Sequence, residues 1–381
     1  MKTIYLDHQA TTPTTASVIE AMKPFWSEQF GNPHSSEHIK GMLASRHIET
    51  AKQKISNTLR CEADEIFFTS GATEANNTAI HSLCNLSRTN TAKQIIISAI
   101  EHKCVIESAV YWAKIFNLDL KIVNVDEQGY VDCEHLEALL QTPTLFCSII
   151  AAHNEIGTIQ DIEKISVLTR KYDAFLHSDC AQALKTDLDS NPCELVDVAS
   201  FSGHKIGGPQ GIGFLFISAN MQNDFSPLMF GGGQQHGLRS GTLPLPLCVG
   251  LGQAVEDLSN TNFEHLRHLR DLLFTSLRDN IPGLGLNGPP LADRHAGNLN
   301  IYIPSIENTD LIAALQPNLC VSSGSACGSG NIEPSYVLRA LPTPIDISRH
   351  SIRMSVSENT TKEDINEAVR LITQIVTAST L

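Results

Sequence analysis

Short apolar runs alternate with helix-length stretches through the first two-thirds of the chain. Seven of these runs predict strands: EIFFTS (65–70), KQIIISA (93–99), LKIVNV (120–125), TLFCSIIAA (144–152), AFLHSD (174–179), DVASFS (197–202) and GIGFLFI (211–217). Stretches such as EANNTAIHSLCNLS and IEKISVLTRKY between them predict helices. Apolar strands separated by helices favour a mostly parallel sheet with helices on both faces. In such sheets, ligands bind beyond the carboxyl ends of the strands.

A different pattern begins near Asn260. FEHLRHLRDLLFTSLRDN predicts a helix, the Gly/Pro-rich stretch IPGLGLNGPPLADRHAG follows it, and TKEDINEAVRLITQIV predicts a second helix. We therefore expect an α/β protein with a large domain over residues 15–258 and a smaller α+β domain built from residues 1–14 and 259–381. GLGLNG fits the dinucleotide-binding pattern G-x-G-x-x-G, but two prolines follow it where a helix would have to begin, so it predicts a loop.

Composition narrows the class of protein. Of the 381 residues, 42% are hydrophobic and 18% are charged, which is typical of a globular chain long enough for two domains. The net charge of −14 and the lack of a basic tract argue against direct binding of nucleic acid. The N-terminus has no secretory signal, and the longest apolar run, LFCSIIAA, is too short to cross a bilayer. We therefore expect a cytoplasmic protein without a membrane segment.

The ten cysteines contain no C-x-x-C pair, so we expect neither a disulfide framework nor a metal site. Most of them, such as Cys84, Cys147 and Cys248, lie in apolar runs that are typical of a core. Cys327 differs because it lies in SSGSACGSGN, among small residues that predict an exposed, mobile loop over about residues 320–333. A thiol in such a loop is either an ordinary loop residue or a reactive group.

Two segments place polar groups at the ends of predicted strands. TSGATEANN puts Ala72 and Thr73 at the start of a helix, where free N–H groups and a hydroxyl form an anion site unless they only cap the helix. Asp179 ends an apolar strand in LHSDCAQ. A carboxylate there is costly unless it is paired. Asp179 therefore either caps a helix or pairs with a cationic ligand group such as a protonated pyridine nitrogen.

A third segment, SFSGHKIGGPQGIG, places Lys205 after Ser202 and His204 in a glycine-rich turn. A lysine forced toward the interior of a site can lose its proton and form a Schiff base, whereas most lysines in loops are simply exposed. Ser202 and His204 can both hydrogen-bond a phosphate. GGGQQHGLRSGT is a further glycine-rich segment, and it is only a weak indication of an anion site.

Three single residues complete the candidate set. His102 in EHKCV can stack on an aromatic ring, transfer protons or be an ordinary polar residue at a strand end. Asn154 follows a buried strand, and Arg353 in SIRMS is suited to clamp a carboxylate or to form a structural salt bridge. A lysine for a Schiff base, an aspartate for a ring nitrogen and a hydroxyl-rich helix start for a phosphate together indicate pyridoxal phosphate as the cofactor.

The chain resembles the NifS/IscS-type cysteine desulfurases nearly end to end. The motifs that carry the resemblance are YLDHQATTP, GNPHS, FTSGATEANN, EHKCV, NEIGTIQDI, HSDCAQ, SFSGHKIGGPQGIG, GGGQQHGLRSGTLP, SGSAC and EPSYVLRAL. These enzymes form part of the class V aminotransferase group. The resemblance therefore implies a fold-type I pyridoxal phosphate-dependent transferase with a mostly parallel seven-stranded sheet flanked by helices. SGSAC followed by EPSYVLRA is similar to the long-loop subgroup.

The resemblance also implies a role for individual residues. Lys205 would hold the cofactor, Asp179 would pair with the pyridine nitrogen, and His102 would stack on the ring. The other implied contacts are Gln182 to the ring oxygen, Ala72, Thr73, Ser202 and His204 to the phosphate, and Arg353, Asn154 and Asn32 to the substrate carboxylate, with Asn154 also contacting the cofactor. Thr242 would bind the phosphate in the other subunit's site, which implies a homodimer. His153 and Cys180 stand where Asn and Ala are usual, and we expect each to tune the pocket without abolishing the chemistry.

We hypothesise that Cys327 takes the sulfur of L-cysteine as a persulfide, leaving L-alanine, and passes it to an acceptor protein. Such a sulfurtransferase could serve iron–sulfur assembly, tRNA thiolation or DNA phosphorothioation. The chain ends soon after TQIVTASTL, without the longer tail that docks an iron–sulfur scaffold, so we expect a dedicated acceptor. The alternatives are a selenocysteine lyase or another class V lyase, and a non-enzymatic sulfur-relay scaffold. The presence of Lys205, Asp179, His102 and Cys327 disfavours the scaffold.

Overall fold

A computed structural model describes residues 3–187, 191–324, 334–343 and 345–379 of the chain. Cys327 lies outside the described residues. The strands are β1 Ile4–Tyr5, β2 Ile66–Thr69, β3 Gln94–Ser98, β4 Asp119–Val123, β5 Thr144–Ser148, β6 Phe175–Asp179, β7 Val198–Ser202, β8 Gly213–Ile217, β9 Gly285–Leu286, β10 Asn298–Tyr302, β11 Leu319–Cys320 and β12 Ser351–Ser355. The helices are α1 Ala16–Met22, α2 Ile39–Leu59, α3 Ala72–Asn85, α4 Lys103–Phe116, α5 Cys133–Leu140, α6 Ile162–Lys171, α7 Pro192–Leu195, α8 Leu245–Asp257, α9 Phe263–Asn280, α10 Asn308–Leu315, α11 Tyr336–Ala340 and α12 Lys362–Ser379.

Seven strands form the central sheet of the described chain, in the order β2-β8-β7-β6-β5-β3-β4. They are the seven predicted from the apolar runs, so the prediction of an α/β fold with a mostly parallel sheet is confirmed. The neighbouring strands β4, β3, β5, β6 and β7 pair in parallel. β8 runs antiparallel to both of its neighbours, β7 and β2. The connection from β7 to β8 contains no long helix, and a parallel neighbour would need such a crossover.

Helices cover both faces of this sheet because successive side chains of each strand point to opposite faces. Phe68 and Ile96 pack into one core with α2 and α8, while their neighbours Phe67 and Ile97 pack into the other core with α3 and α4. All four side chains are at most 1% exposed. The sheet is therefore buried on both sides, which explains why its strands are apolar runs without a polar alternation.

A third core lies mostly beyond residue 260 and also contains Ile4 and Leu6 of the N-terminal segment. The strands β9, β10 and β12 form an antiparallel sheet in the order β12-β10-β9, and α9 and α12 pack on it through residues such as Leu273, Leu277 and Ile372. GLGLNG was predicted as a loop, but its Gly285 and Leu286 form β9, a two-residue strand paired with β10. The domain bounds 15–258 and 259–381 stay a prediction.

The N-terminal segment joins this third core to the central sheet. β1 pairs in parallel with β11, and the Ser355 N–H donates to the Leu6 carbonyl at 2.7 Å. Further along, the Thr12 N–H donates to the His204 carbonyl at 2.9 Å, beyond the end of β7. No helix among the described residues is long and apolar enough to cross a membrane.

Candidate active site

A cavity of about 720 Å³ opens at the carboxyl ends of β6 and β7, where α3 and α4 begin. The predicted site residues that line it are Ala72, Thr73, His102, Asn154, Asp179, Gln182, Ser202, His204, Lys205 and Arg353. The parallel topology brings these distant residues together because the strands that precede them end at one edge of the sheet. The position of the cavity agrees with the sequence prediction.

Lys205 lies three residues after β7, in a single helical turn formed by Gly203–Lys205. Its Nζ donates hydrogen bonds to the carbonyls of Gln9, at 2.6 Å, and Ala10, at 2.8 Å. Burial and then the charge of Arg353 lower the pKa of this amine to about 8, although Asp179 and Asp7 act in the opposite direction. A substantial fraction of Lys205 is therefore neutral near physiological pH, as a nucleophilic amine requires.

Asp179 is the last residue of β6 and is 3% exposed. Its Oδ2 accepts a hydrogen bond from Asn76 Nδ2 at 2.7 Å, and its Oδ1 accepts one from the Ala181 N–H at 2.9 Å. These two donors fix the plane of the carboxylate at the wall of the cavity. A buried carboxylate held in this way is suited to pair with a cationic group of a ligand.

His102 caps the N-terminus of α4, and its Nδ1 accepts a hydrogen bond from the Cys104 N–H at 3.2 Å. Because Nδ1 is an acceptor, the proton of the neutral ring is on Nε2. Burial lowers the pKa of His102, Asp179 raises it, and Lys205 lowers it; the net shift is downward. The Cys104 thiol lies 3.0 Å from Nδ1, and donor atoms of His102, Cys104 and Asp179 all lie within 4.8 Å of one another.

The start of α3 lies against the same cavity. Its N-cap is Gly71, with φ of +150°, and no side chain among the described residues caps the helix. The first N–H groups of the helix, at Ala72 and Thr73, lack a preceding turn to accept their hydrogen bonds. Ser202, which is 4% exposed, and His204 line the cavity as well. Uncapped N–H groups beside hydroxyl and imidazole donors form a site for an anion.

Arg353 of β12 lies in the wall of the cavity, so the sheet of the third core contributes a residue to the site. Its NH2 group donates to Asp7 Oδ1 at 2.6 Å, and its NH1 group donates to the Asn154 carbonyl at 3.2 Å. The Arg353 Nε is buried and has no hydrogen-bond partner among the described residues.

Gln182 Nε2 donates to the Gln9 carbonyl at 2.9 Å, so the N-terminal segment is held by Gln182 as well as by Lys205.

Three predicted site residues are not brought to the cavity by the described chain. Asn32 is exposed, with its Oδ1 accepting from the His34 N–H, and Thr242 is exposed as well. Cys327 lies outside the described residues, but Gly324, three positions before it in the sequence, lines the cavity. The roles of Asn32, Thr242 and Cys327 stay predictions.

Sequence reasoning missed several residues that shape the site. The backbone carbonyls of Gln9 and Ala10 accept hydrogen bonds from Lys205 Nζ. Asp7 pairs with Arg353, and Asn76 donates to both Asp179 and the Cys104 thiol. A carbonyl group is present at every residue, so no residue type could indicate the first two. Asp7, a carboxylate directly after the short N-terminal strand, is the detectable signal, because a charge in that setting needs a partner.

The two positions that depart from the family pattern are both buried, and the expectation that each tunes the pocket stays a prediction. His153 is 2% exposed; its Nε2 donates to the Ile100 carbonyl at 2.9 Å, and its Nδ1 accepts from the Glu155 N–H at 3.0 Å. The ring therefore bridges the turns after β3 and β5. Cys180 is fully buried, and burial raises the pKa of its thiol. Its thiol is a core group.

Comparison with known proteins identifies the family. The family model described as Aminotransferase class-V matches residues 4–367. The chain is 41% identical over 374 residues to the cysteine desulfurase IscS of Ehrlichia chaffeensis, which covers 97% of this chain and 90% of that protein. The chain belongs to the cysteine desulfurases of the class-V aminotransferase family. The resemblance found in the motifs is thus confirmed.

Solved structures of this family share the fold. A protein described as NifS-like is 32% identical and superposes with a TM-score of 0.88, covering 99% of this chain and all of that one. SspA, solved in complex with cysteine, is 32% identical with a TM-score of 0.81, covering 94% of this chain and all of SspA. The prediction of the fold of NifS-type, fold-type I enzymes is therefore confirmed.

Proposed function

We propose that this protein is a pyridoxal phosphate-dependent cysteine desulfurase. It would convert L-cysteine to L-alanine, hold the sulfur on Cys327 as a persulfide and pass it to an acceptor protein. The observation that carries the proposal is the meeting of Lys205, Asp179 and His102 around one cavity whose wall also includes Gly324. Cys327 follows Gly324 by three positions in the sequence. The names of the relatives, and the cysteine bound by SspA, support the substrate.

The residues of the cavity fit pyridoxal phosphate. Asp179 offers a fixed, buried carboxylate to a protonated pyridine nitrogen, and the uncapped start of α3 offers N–H groups to a phosphate. Lys205 offers an amine whose lowered pKa makes its neutral form more accessible at neutral pH than that of an ordinary lysine. When bound there, the cofactor would supply the electron sink for cleavage of the carbon–sulfur bond.

Arg353 is suited to bind the carboxylate of the amino acid. A guanidinium has five N–H donors, and the described contacts engage one with Asp7 and one with the Asn154 carbonyl. The Nε–H is buried, so a carboxylate would bind to the remaining N–H groups of NH1 and NH2. Asp7 reduces the net positive charge of this pocket, so directed hydrogen bonds from the guanidinium would add to the attraction of its charge for the substrate.

The sulfur step needs a thiolate and a proton carrier. The Cys327 sulfur forms a new bond to the sulfur of the substrate, and the substrate carbon–sulfur bond breaks. The bonding pair stays with the carbon, which gains a proton and becomes the methyl group of alanine. Lys205 Nζ, with its pKa of about 8, is suited to carry protons to and from the substrate at neutral pH.

Intact mass spectrometry tests this function. Protein loaded with pyridoxal phosphate and briefly exposed to L-cysteine without reductant should gain one sulfur atom that maps to Cys327. Cys327→Ala should bind the cofactor and gain none there, whereas Cys61→Ala, at a partly exposed free cysteine, should behave as wild type. A wild-type protein that changes its cofactor absorbance but gains no sulfur would indicate a different class V lyase.

A homodimer is part of the proposal. Thr242 is exposed, and the same glycine-rich region presents Met229 and Phe230, which are 43% and 84% exposed. Large apolar side chains exposed beside a polar candidate ligand are typical of an interface. Mixing Thr242→Ala with Lys205→Ala protein tests the exchange. If Thr242 acts in the partner's site, one site of each mixed dimer contains native Lys205 and native Thr242, and desulfurase activity is recovered. If Thr242 acts within its own chain, no site contains both native residues and activity is not recovered.

A further inference from the structure

Glu74 and Arg239 form an ion pair at the start of α3, beside the cavity. Arg239 Nε donates to Glu74 Oε1 at 2.7 Å, and the NH2 group of Arg239 donates to Oε2 at 3.2 Å. The side chains of Glu74 and Arg239 are only 13% and 18% exposed. This is a two-point, largely shielded pair, unlike an isolated salt bridge on the surface.

Glu74 presents a difficulty for a phosphate site. It is the third residue of α3, in the turn whose N–H groups would bind the anion, and it lines the cavity. Burial acts to raise the pKa of its carboxyl, but hydrogen bonds from Arg239 and Ser70 outweigh burial and lower it. Glu74 is therefore ionised at neutral pH, and an uncompensated charge here would repel a phosphate.

The segment that carries Arg239 is fixed to the same part of the fold. Gln235 Oε1 accepts from the Phe68 N–H at 2.7 Å, and its Nε2 donates to the Phe68 carbonyl at 2.9 Å, so this side chain pairs with the outer strand β2. Gln234 Oε1 accepts from the Gly241 N–H at 2.8 Å. The guanidinium of Arg239 is thus placed by its own backbone as well as by Glu74.

We propose that Arg239 is a positioning residue that makes the start of α3 able to accept the cofactor phosphate, by cancelling the charge of Glu74. The inference rests on the proposed pyridoxal phosphate site. Arg239 reaches the ligand only through Glu74. Loss of Arg239 should therefore weaken the binding of pyridoxal phosphate while Glu74 is charged. It should have little effect on that affinity once Glu74 is replaced by a neutral residue. An arginine that only stabilised the fold would not show this dependence.

The experiment compares two ligands that differ in the phosphate. The affinities of cofactor-free protein for pyridoxal phosphate and for pyridoxal are measured for wild type, Arg239→Gln, and the double variant Glu74→Gln/Arg239→Gln. Arg239→Gln should bind pyridoxal phosphate about tenfold more weakly or worse, with pyridoxal affinity unchanged. The double variant should return to within a few-fold of wild type. Arg267→Gln, which removes an arginine paired with Asp187 and Glu264, should bind both ligands as wild type does.

The outcomes separate this inference from the proposed function. An Arg239→Gln protein with wild-type affinity for pyridoxal phosphate would overturn the inference alone. The same holds for a loss that affects both ligands equally and is not rescued in the double variant, because that pattern indicates a purely structural role. Arg239→Lys keeps the charge and should retain most of the affinity, which provides the test if Arg239→Gln fails to fold. A wild-type protein that takes up no pyridoxal phosphate would overturn the proposed function, and the inference with it.

Discussion

Lys205 shows how one residue acquires its chemistry from groups far away in the sequence. Its amine lies between two carbonyls of the N-terminal segment, near the positive charge of Arg353 and the negative charges of Asp179 and Asp7. Burial and Arg353 prevail, so the pKa of Lys205 is about 8, well below its ordinary value of 10.5. The residue that is most easily recognised in the sequence therefore depends on residues with no sequence signal of their own.

The pH dependence of cofactor uptake tests this environment. Only the neutral amine can attack the aldehyde of pyridoxal phosphate, so the rate of covalent uptake by cofactor-free protein should rise with pH through about 8 and level off above it. The absorbance of the lysine-bound cofactor measures the rate, and Lys205→Ala gives the background. Asp179→Asn removes a charge that raises this pKa, so its midpoint should move to lower pH. A wild-type midpoint near 10.5 would show that Lys205 behaves as an exposed lysine.

His153 tests whether a departure from the family pattern is structural. Asn at this position can still accept the Glu155 N–H through its side-chain oxygen, but it is too short to reach the Ile100 carbonyl as well. His153→Asn should therefore lower the free energy of unfolding by about 1–3 kcal/mol, the cost of leaving a buried carbonyl unpaired. Urea denaturation measures the loss. Wild-type stability together with weakened cofactor binding would instead place His153 in the functional site.

At the scale of elements, the contact between β8 and the start of α3 is unusually close. A Cβ atom on Gly213 would contact the Phe201 carbonyl and lie 2.7 Å from the Cα of Gly71. Gly71 is the residue from which α3 begins. Glycine at position 213 therefore allows the helix start to approach the sheet beside Ser202, where the phosphate is proposed to bind.

Gly213→Ala should displace the start of α3 and weaken the binding of pyridoxal phosphate. We expect a loss of about tenfold, from roughly 1–3 kcal/mol of steric strain at this contact. Fluorescence titration of cofactor-free protein measures it. Gly285→Ala in β9 is the matched control, because a Cβ there meets the Tyr302 side chain at an ordinary 3.7 Å. Equal affinities of the two variants would refute the proposed close approach.

The sequence predicts elements well where burial sets a long, simple pattern. The strands of the central sheet are detectable because each is a continuous apolar run, and α9 and α12 because their apolar residues repeat with helical spacing. β1, β9 and β11 are too short for any pattern. β1 and β11 depend on each other across most of the chain, and β9 depends on its pairing with β10. The antiparallel direction of β8 depends on the length of its connection, and local preferences carry no information about it.

Some residues of the candidate site can be predicted from the sequence and others cannot. Lys205, Asp179 and the start of α3 are predictable because a charge or a glycine turn at the end of an apolar strand is chemically unusual. Asp7 and the carbonyls of Gln9 and Ala10 are not, because they enter the site only through the docking of the N-terminal segment.

At the scale of the whole molecule, buried titratable groups set the dependence of stability on pH. Burial lowers the pKa of His153, His177 and His295 to about 3, and it raises the pKa of Glu101 to about 8 and of Glu155 to about 7. In the unfolded chain the histidines titrate at 6.5 and the glutamates at 4.5. Below pH 6.5 the unfolded chain therefore binds more protons at the histidines, whereas from pH 4.5 to 8 the folded protein binds more protons at the glutamates.

These two effects oppose each other. Stability increases with pH wherever the unfolded state binds more protons, so the three histidines make stability rise up to about pH 6.5, whereas the two glutamates make it fall from about pH 4.5 to about pH 8. Below about pH 6 the three histidines outweigh the two glutamates, and above about pH 6.5 the glutamates prevail. We expect the free energy of unfolding, measured by urea titration from pH 5 to 8, to be greatest at about pH 6–7. Glu101→Gln should reduce the decline on the alkaline side. A stability that keeps rising to pH 8 would be inconsistent with buried, protonated glutamates.

The docking of the N-terminal segment has a consequence for the order in which the chain is made. Residues 4–10 are synthesised long before Cys320 and Ser355, whose groups hold Leu6 and Gln9. The growing chain can complete its seven-stranded sheet while this segment still lacks its partners in β11 and β12. Until Ser355 has been synthesised, the segment whose carbonyls accept hydrogen bonds from Lys205 lacks its contacts with β11 and β12. We therefore expect the cofactor to be captured after translation, by the finished chain.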